Sequence, residues 1–164
     1  EIGRSMNLQY NHDILNLMPT NLYGPNDNFS ENDSHVIPGL IHRMHQAKIN
    51  KDKKFKIWGS GKPLREFLYV DDLANAIEFL ILENIQEDLL NIGSGEEISI
   101  KDLAIEISKI IDYKGEIEFD NSKPDGNPRK LLDSSKINKI GWTHKVNLKD
   151  GLRKTYSWYL DNIS

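Results

Sequence analysis

The sequence predicts an α/β fold with parallel strand pairing, and three observations carry that prediction. Short apolar runs alternate with longer stretches of helical period, the pattern of strands joined by crossover helices. Turn residues close the runs: Pro19 follows Leu17-Met18, Gly59-Ser60-Gly61 follows Trp58, and Gly93-Ser94-Gly95 follows Ile92. The chain of 164 residues, 38% of them hydrophobic, is also long enough to bury one domain-sized core.

Each element has a local reason. Glu1 to Tyr10 reads as the end of a helix, without a start signal or an initiator methionine. Asp13 to Met18 is an apolar run too short for a helix, so a strand is expected. From Pro19 to Ser34 the chain is rich in Pro, Gly, Asn, Asp and Ser and reads as a long loop. Tyr23 and Phe29 inside it predict that it is ordered. Ser34 is placed to cap a helix whose apolar positions are Val36, Ile37, Leu40, Ile41 and Met44, with Pro38 tolerated in the first turn.

Phe55 to Trp58 alternates as a strand, and Arg65 to Val70 is a second one running into Asp71-Asp72. Two carboxylates suit a helix N-terminus, and the helix beyond them is expected to bury Leu73, Ala74, Ile77 and Leu80. Leu89 to Ile92 is the next strand. Ser99 and Asp102 have capping-box spacing, ahead of Leu103, Ala104, Ile107, Ile110 and Ile111 at helical period. Gly115 to Phe119 alternates again. A last helix over 148–160 carries Leu148, Leu152, Thr155 and Tyr159 on one face.

Composition excludes several functions. A formal net charge of −4 gives no basic field for nucleic acid. No run approaches the roughly 18 apolar residues of a membrane span, and a signal peptide pattern is absent, so a soluble cytoplasmic protein is expected. Zero Cys removes disulfides, thiolate metal sites and thiol nucleophiles. His42 and His45 share a helix, but no HExxH pattern or partner carboxylate accompanies them, so no metal site is expected. The two Gly-x-Gly turns have Leu64 and Ile98 where a dinucleotide fingerprint needs its third glycine, and they read as strand-closing turns. No Gly-x-Ser-x-Gly elbow is present.

The informative residues are Met18-Pro19-Thr20-Asn21-Leu22-Tyr23-Gly24-Pro25, Asn28-Phe29, Ser34-His35-Val36-Ile37-Pro38, Trp58-Gly59-Ser60-Gly61, Arg65-Glu66-Phe67-Leu68-Tyr69-Val70-Asp71-Asp72, and the block from Ser122 to Asp133. Together they resemble extended short-chain dehydrogenase/reductases that act on nucleotide sugars, and more closely the GDP-L-fucose synthase family. The resemblance implies the C-terminal part of a Rossmann-like fold with its small substrate-binding domain. It places the end of the nucleotide-binding domain and an active-site loop at 1–34, and mainly substrate-binding elements at 35–164, some of them returning to the Rossmann-like sheet.

The same resemblance implies NADP(H) as cofactor, a GDP-sugar substrate, and a homodimer. It assigns His35 as proton donor in epimerisation and as a cofactor neighbour, with Pro19, Thr20, Asn21 and Leu22 lining the nicotinamide end. Arg43, Trp58, Arg65, Asp125 and Lys130 correspond to substrate contacts, and a diphosphate suits guanidinium forks. Tyr23 is expected to be structural. The family's glycine-rich phosphate loop and Tyr-x-x-x-Lys pair are not in this sequence: Ile14, Asp27, Leu73, Ile117, Leu160 and Ile163 stand four residues after the six tyrosines. The chain is therefore expected to be about half of such an enzyme and inactive alone. Another nucleotide-sugar epimerase or dehydratase, and a non-catalytic nucleotide-sugar binding module, remain open alternatives.

Overall fold

The computed structural model describes residues 1–31 and 33–163. Helix α1 (Ile2–Tyr10) leads into strand β1 (Asn16–Pro19), which pairs in parallel with β5 (Leu89–Ile92), Asn16 opposite Leu89 and Pro19 opposite Ile92. Strand β2 (Asn21–Tyr23) continues almost directly from β1 but joins a different partner. It runs parallel to β4 (Leu64–Tyr69), with Asn21 opposite Phe67 and Tyr23 opposite Tyr69. The other half of β4 pairs with β6 (Glu97–Ser99), antiparallel, and with β8 (Arg129–Lys130), parallel. A third pair, β3 (Lys54–Trp58) with β7 (Glu116–Asp120), is also parallel. The α/β expectation with mainly parallel pairing holds.

Helices pack around these strands: α2 (Val36–Ile49), α3 (Val70–Leu82), α4 (Ile100–Ile111), α5 (Ser135–Ile140) and α6 (Leu148–Asn162). The apolar faces of α2, α4 and α6 meet in one core. Ile37, Ile41 and Met44 pack there with Leu103, Ile107, Ile111, Leu152 and Tyr159. A second core under α3 and α5 holds Leu68, Ala76, Leu80, Leu90, Ile92, Ile137 and Trp142. Strand β4 divides them, because successive side chains leave a strand on opposite faces. Phe67 and Tyr69 enter the first core and Leu68 the second.

The caps show which local signals were sufficient. Ser99 Oγ accepts the Asp102 N–H at 3.0 Å and donates to the Asp102 carboxylate, so this helix start forms as expected. Asn147 does the same for α6 by accepting the Asp150 N–H at 2.9 Å. Among the described residues no helix is long and apolar enough to cross a membrane.

Four expectations need correction. The 19–34 segment is not all loop, because β2 forms inside it; three residues are too few to show alternation, and the ladder comes from distant β4. Ser34 is not the cap of α2. His35 occupies that position with extended backbone, no side chain caps the helix, and Ser34 Oγ lies against Gly39 instead. In α3 the buried line is Asp72, Ala76 and Leu80, while Ala74 and Ile77 are exposed and Leu73 is half-buried. Asp72 turns the helix this way: its two carboxylate oxygens accept the Lys145 and Val146 N–H groups at 2.9 and 3.0 Å. Finally, β6, β8 and α5 were not anticipated.

Candidate functional site

The carboxyl end of β2 and the N-terminus of α2 face each other across a cleft of about 690 Å³. Thr20, Asn21, Leu22, Asp27, His35, Arg65 and Phe67 are among its lining residues. A second cleft, about 510 Å³, lies on the other side of His35 and is lined by Glu31, Arg43, Trp58, Arg65, Pro124 and Asp125, among others. Ser34, His35, Val36 and Arg65 line both, so one histidine and one arginine stand where the two clefts meet.

Each of these side chains has a structural reason for its place. His35 is set by α2, whose opposite face is buried through Ile37, Leu40, Ile41 and Met44. Its own side chain is 84% exposed, and Nδ1 lies 3.9 Å from the better-buried Asp27 carboxylate. Asp27 belongs to a loop tied by short-range bonds: its Oδ1 accepts the Asn28 N–H at 2.7 Å, and Asn28 Oδ1 accepts the Ser30 N–H at 2.9 Å. Phe29 anchors that loop by packing against Trp158 and Tyr159 of α6, centroids 5.8 and 5.2 Å away. Both aromatics of the segment, Tyr23 and Phe29, are buried.

Thr20 and Asn21 are fixed by their own side chains. Thr20 Oγ1 donates to the Glu66 carbonyl at 3.3 Å, and Asn21 Nδ2 donates to the same carbonyl at 2.8 Å. Pro19, one residue earlier, ends β1 as an exposed residue and lines neither cleft. Tyr23 is buried, and its hydroxyl donates to the Leu148 carbonyl at 3.4 Å. Burial first, then the neighbouring Tyr69 and Asp72, pushes its phenol far above the ordinary range. That suits a packing role.

In the second cleft Arg43 crosses the Phe55 ring at 5.5 Å and donates from Nε to the Gly39 carbonyl at 3.3 Å. Burial lowers its guanidinium below the ordinary value, and Glu31 opposes that. The remaining guanidinium donors suit an anionic ligand. Arg65 donates to the Leu64 carbonyl at 2.7 Å. Trp58 is 71% exposed at the rim, with Lys123 Nζ 5.9 Å from its ring centroid. Asp125 accepts from Ser60, N–H at 2.8 Å and hydroxyl at 2.6 Å. The hydroxyl bond above all holds this carboxylate below the usual range. Gly59 allows that approach, since it has φ +83 and a Cβ there would strike Asp125. Lys130 is exposed on β8 beside Arg65 in register, and lines neither cleft.

The structure therefore brings Thr20, Asn21, Leu22, His35, Arg43, Trp58, Arg65 and Asp125 to two adjoining clefts and leaves Pro19 and Lys130 outside them. His42 and His45 face tyrosines: their Nδ1 atoms lie 3.0 Å from the Tyr159 and Tyr156 hydroxyls. Sequence reasoning missed Asp27 and Glu66. Asp27 is eight positions before His35 and meets it only because the loop folds back. Glu66 sits in a recognised segment, but nothing local marks it as fully buried.

Known proteins resemble this chain over nearly its whole length. The NAD dependent epimerase/dehydratase family matches residues 1–93. The chain is 51% identical over 95% of its length to GDP-L-fucose synthase 1 of Arabidopsis thaliana, covering 48% of that protein. It is 47% identical over 99% of its length to GDP-L-fucose synthase of Escherichia coli (strain K12), covering 53% of it. A solved GDP-L-fucose synthetase from Naegleria fowleri bound to NADP superposes with a TM-score of 0.89 at 31% identity, over 98% of this chain and 52% of that one. The chain spans about half the length of the curated relatives it matches.

Proposed function

Because the chain belongs to the NAD dependent epimerase/dehydratase family, we propose that the protein carrying it is an NADPH-dependent epimerase-reductase that converts GDP-4-keto-6-deoxy-D-mannose to GDP-L-fucose. The observation that carries this reading is the position of His35 and Arg65 where the two clefts join, with Thr20, Asn21 and Leu22 on one side and Arg43 on the other. The names of the relatives supply the substrate class.

The chemistry divides among these residues. A ketone at C4 acidifies the C3 and C5 protons of the sugar, so each can be removed by a base and returned on the opposite face. His35 returns it: an imidazole can serve as a general acid, and this one is open to the clefts. Arg43 and Arg65 hold the diphosphate, where planar guanidinium forks match phosphate oxygens. Trp58 offers an exposed ring face at the outer rim for the base. Thr20, Asn21 and Leu22 fit the nicotinamide end of the cofactor: all three are uncharged, and the Glu66 carbonyl holds the Thr20 and Asn21 side chains. NADPH, when bound, supplies the hydride that reduces C4.

Incubating the whole protein with GDP-4-keto-6-deoxy-D-mannose and NADPH tests the proposal. GDP-L-fucose is expected, identified by mass and by comparison with authentic product. Absence of that product, with substrate recovered, would overturn it.

A further inference from the structure

Glu66 has no exposed surface at all, yet it is a carboxylate on a strand whose neighbours Arg65 and Phe67 line the first cleft. Strand geometry sends its side chain to the opposite face. There Oε1 accepts the Gly95 N–H at 2.8 Å and Oε2 accepts the Leu132 N–H at 3.0 Å. Its carbonyl is the acceptor for Thr20 and Asn21. One residue thus joins β2, β4, the turn between β5 and β6, and the chain leaving β8.

Burying a carboxylate is costly, and an apolar side chain would fill the space without that cost. What an apolar residue could not do is hold two backbone N–H groups from segments 29 and 66 positions away. The surroundings are shaped for it: a Cβ on Gly93 would collide with the Glu66 carboxylate. The segment it holds is tied at its other end too, where Glu97 of β6 receives a two-pronged bridge from Arg129 of β8 at 2.7 and 2.6 Å.

We propose that Glu66 is a positioning residue: its buried carboxylate clamps the 95 and 132 segments to β4 and thereby fixes Arg65 where the two clefts meet. The inference rests on the proposed function in assigning Arg65 to a diphosphate. Substituting the side chain leaves the Glu66 carbonyl, and so Thr20 and Asn21, in place. The clamp therefore acts on the nucleotide-sugar side and not on the cofactor side.

The test uses the whole protein and its Glu66→Gln variant, with Gly93→Ala as a second variant that displaces the same carboxylate without changing its charge. Amide hydrogen exchange at Gly95 and Leu132 should accelerate by about tenfold or more, as expected when a hydrogen bond to a charged acceptor is lost. GDP affinity by calorimetry should fall about tenfold while NADPH affinity stays within about twofold, a split that general destabilisation would not produce. Unchanged exchange at both amides would overturn the clamp. Faster exchange with unchanged GDP affinity, or with GDP and NADPH affinities falling together, would overturn the positioning role. If Glu66→Gln does not fold, Gly93→Ala decides by the same readouts. Because these readouts need no turnover, a wild-type protein that binds GDP but makes no GDP-L-fucose would count against the proposed reaction and not against the clamp.

Discussion

The core enclosed by α2, α4 and α6 and the core beneath α3 use the same apolar residue types but differ in closure. In the first, Ile37, Ile41, Met44, Leu103, Ile107, Ile111, Leu152 and Tyr159 are nearly inaccessible. In the second, Leu90, Ile92 and Ile137 are equally buried, but Ile81 and Leu82 of α3 are 71% and 76% exposed. A groove of about 320 Å³ opens between Leu15, Leu17, Ile77, Leu80, Ile81 and Ile85. The candidate site hangs from the closed core. His35 stands at the N-cap of α2 and Arg43 on that helix, Phe29 inserts against α6, and Arg65 lies on the strand that separates the two cores. A site needs such support, since its side chains hold position only if the elements beneath them do.

Truncation on the two sides should separate them most sharply. Ile107→Ala empties a closed site and should cost about 3–4 kcal/mol in denaturant unfolding. If it costs no more than a surface change, the closed core is not what holds α2 and α4 together.

A smaller effect comes from His45, buried beside Tyr156 in the same core. Burial lowers its pKa below the ordinary histidine value, with Lys48 and His42 adding to the effect. Protons then bind the unfolded chain more readily than the folded one, so stability is present above about pH 6.5 and declines as pH falls through the folded value. Unfolding at pH 7.5 and 5.5 should show that decline in the wild type and less of it in His45→Gln. Equal declines would remove His45 as the cause. Smallest of all, Ile81→Ala on the open side should change stability by less than about 0.5 kcal/mol. A loss matching Ile107→Ala would erase the contrast between the two regions.

Much of this was legible in the residues, for reasons that are themselves local. Ser99 and Asp102 announced α4 because a cap is made within one turn, and α6 was readable from Leu152, Thr155 and Tyr159 on one face. Strands β2, β6 and β8 were not readable, because two or three residues carry no period and each is created by a partner far along the chain. Asp72 illustrates the boundary. Its place in the first turn of α3 was visible, but its bonds to Lys145 and Val146, which decide which face of α3 is buried, were not. At the site, the family resemblance supplied His35, Arg43 and Arg65, and folding brings them to the two adjoining clefts. Asp27 and Glu66 make their contacts with neighbours that only the folded chain supplies.

The central claim is that His35, at the junction of the clefts, returns protons to the sugar. Running the reaction of the whole protein in deuterium oxide measures this directly, by solvent deuterium incorporated at C3 and C5. The wild type should incorporate deuterium at both carbons. His35→Gln should lose that incorporation while still binding GDP, and incorporation at the wild-type rate would contradict the claim.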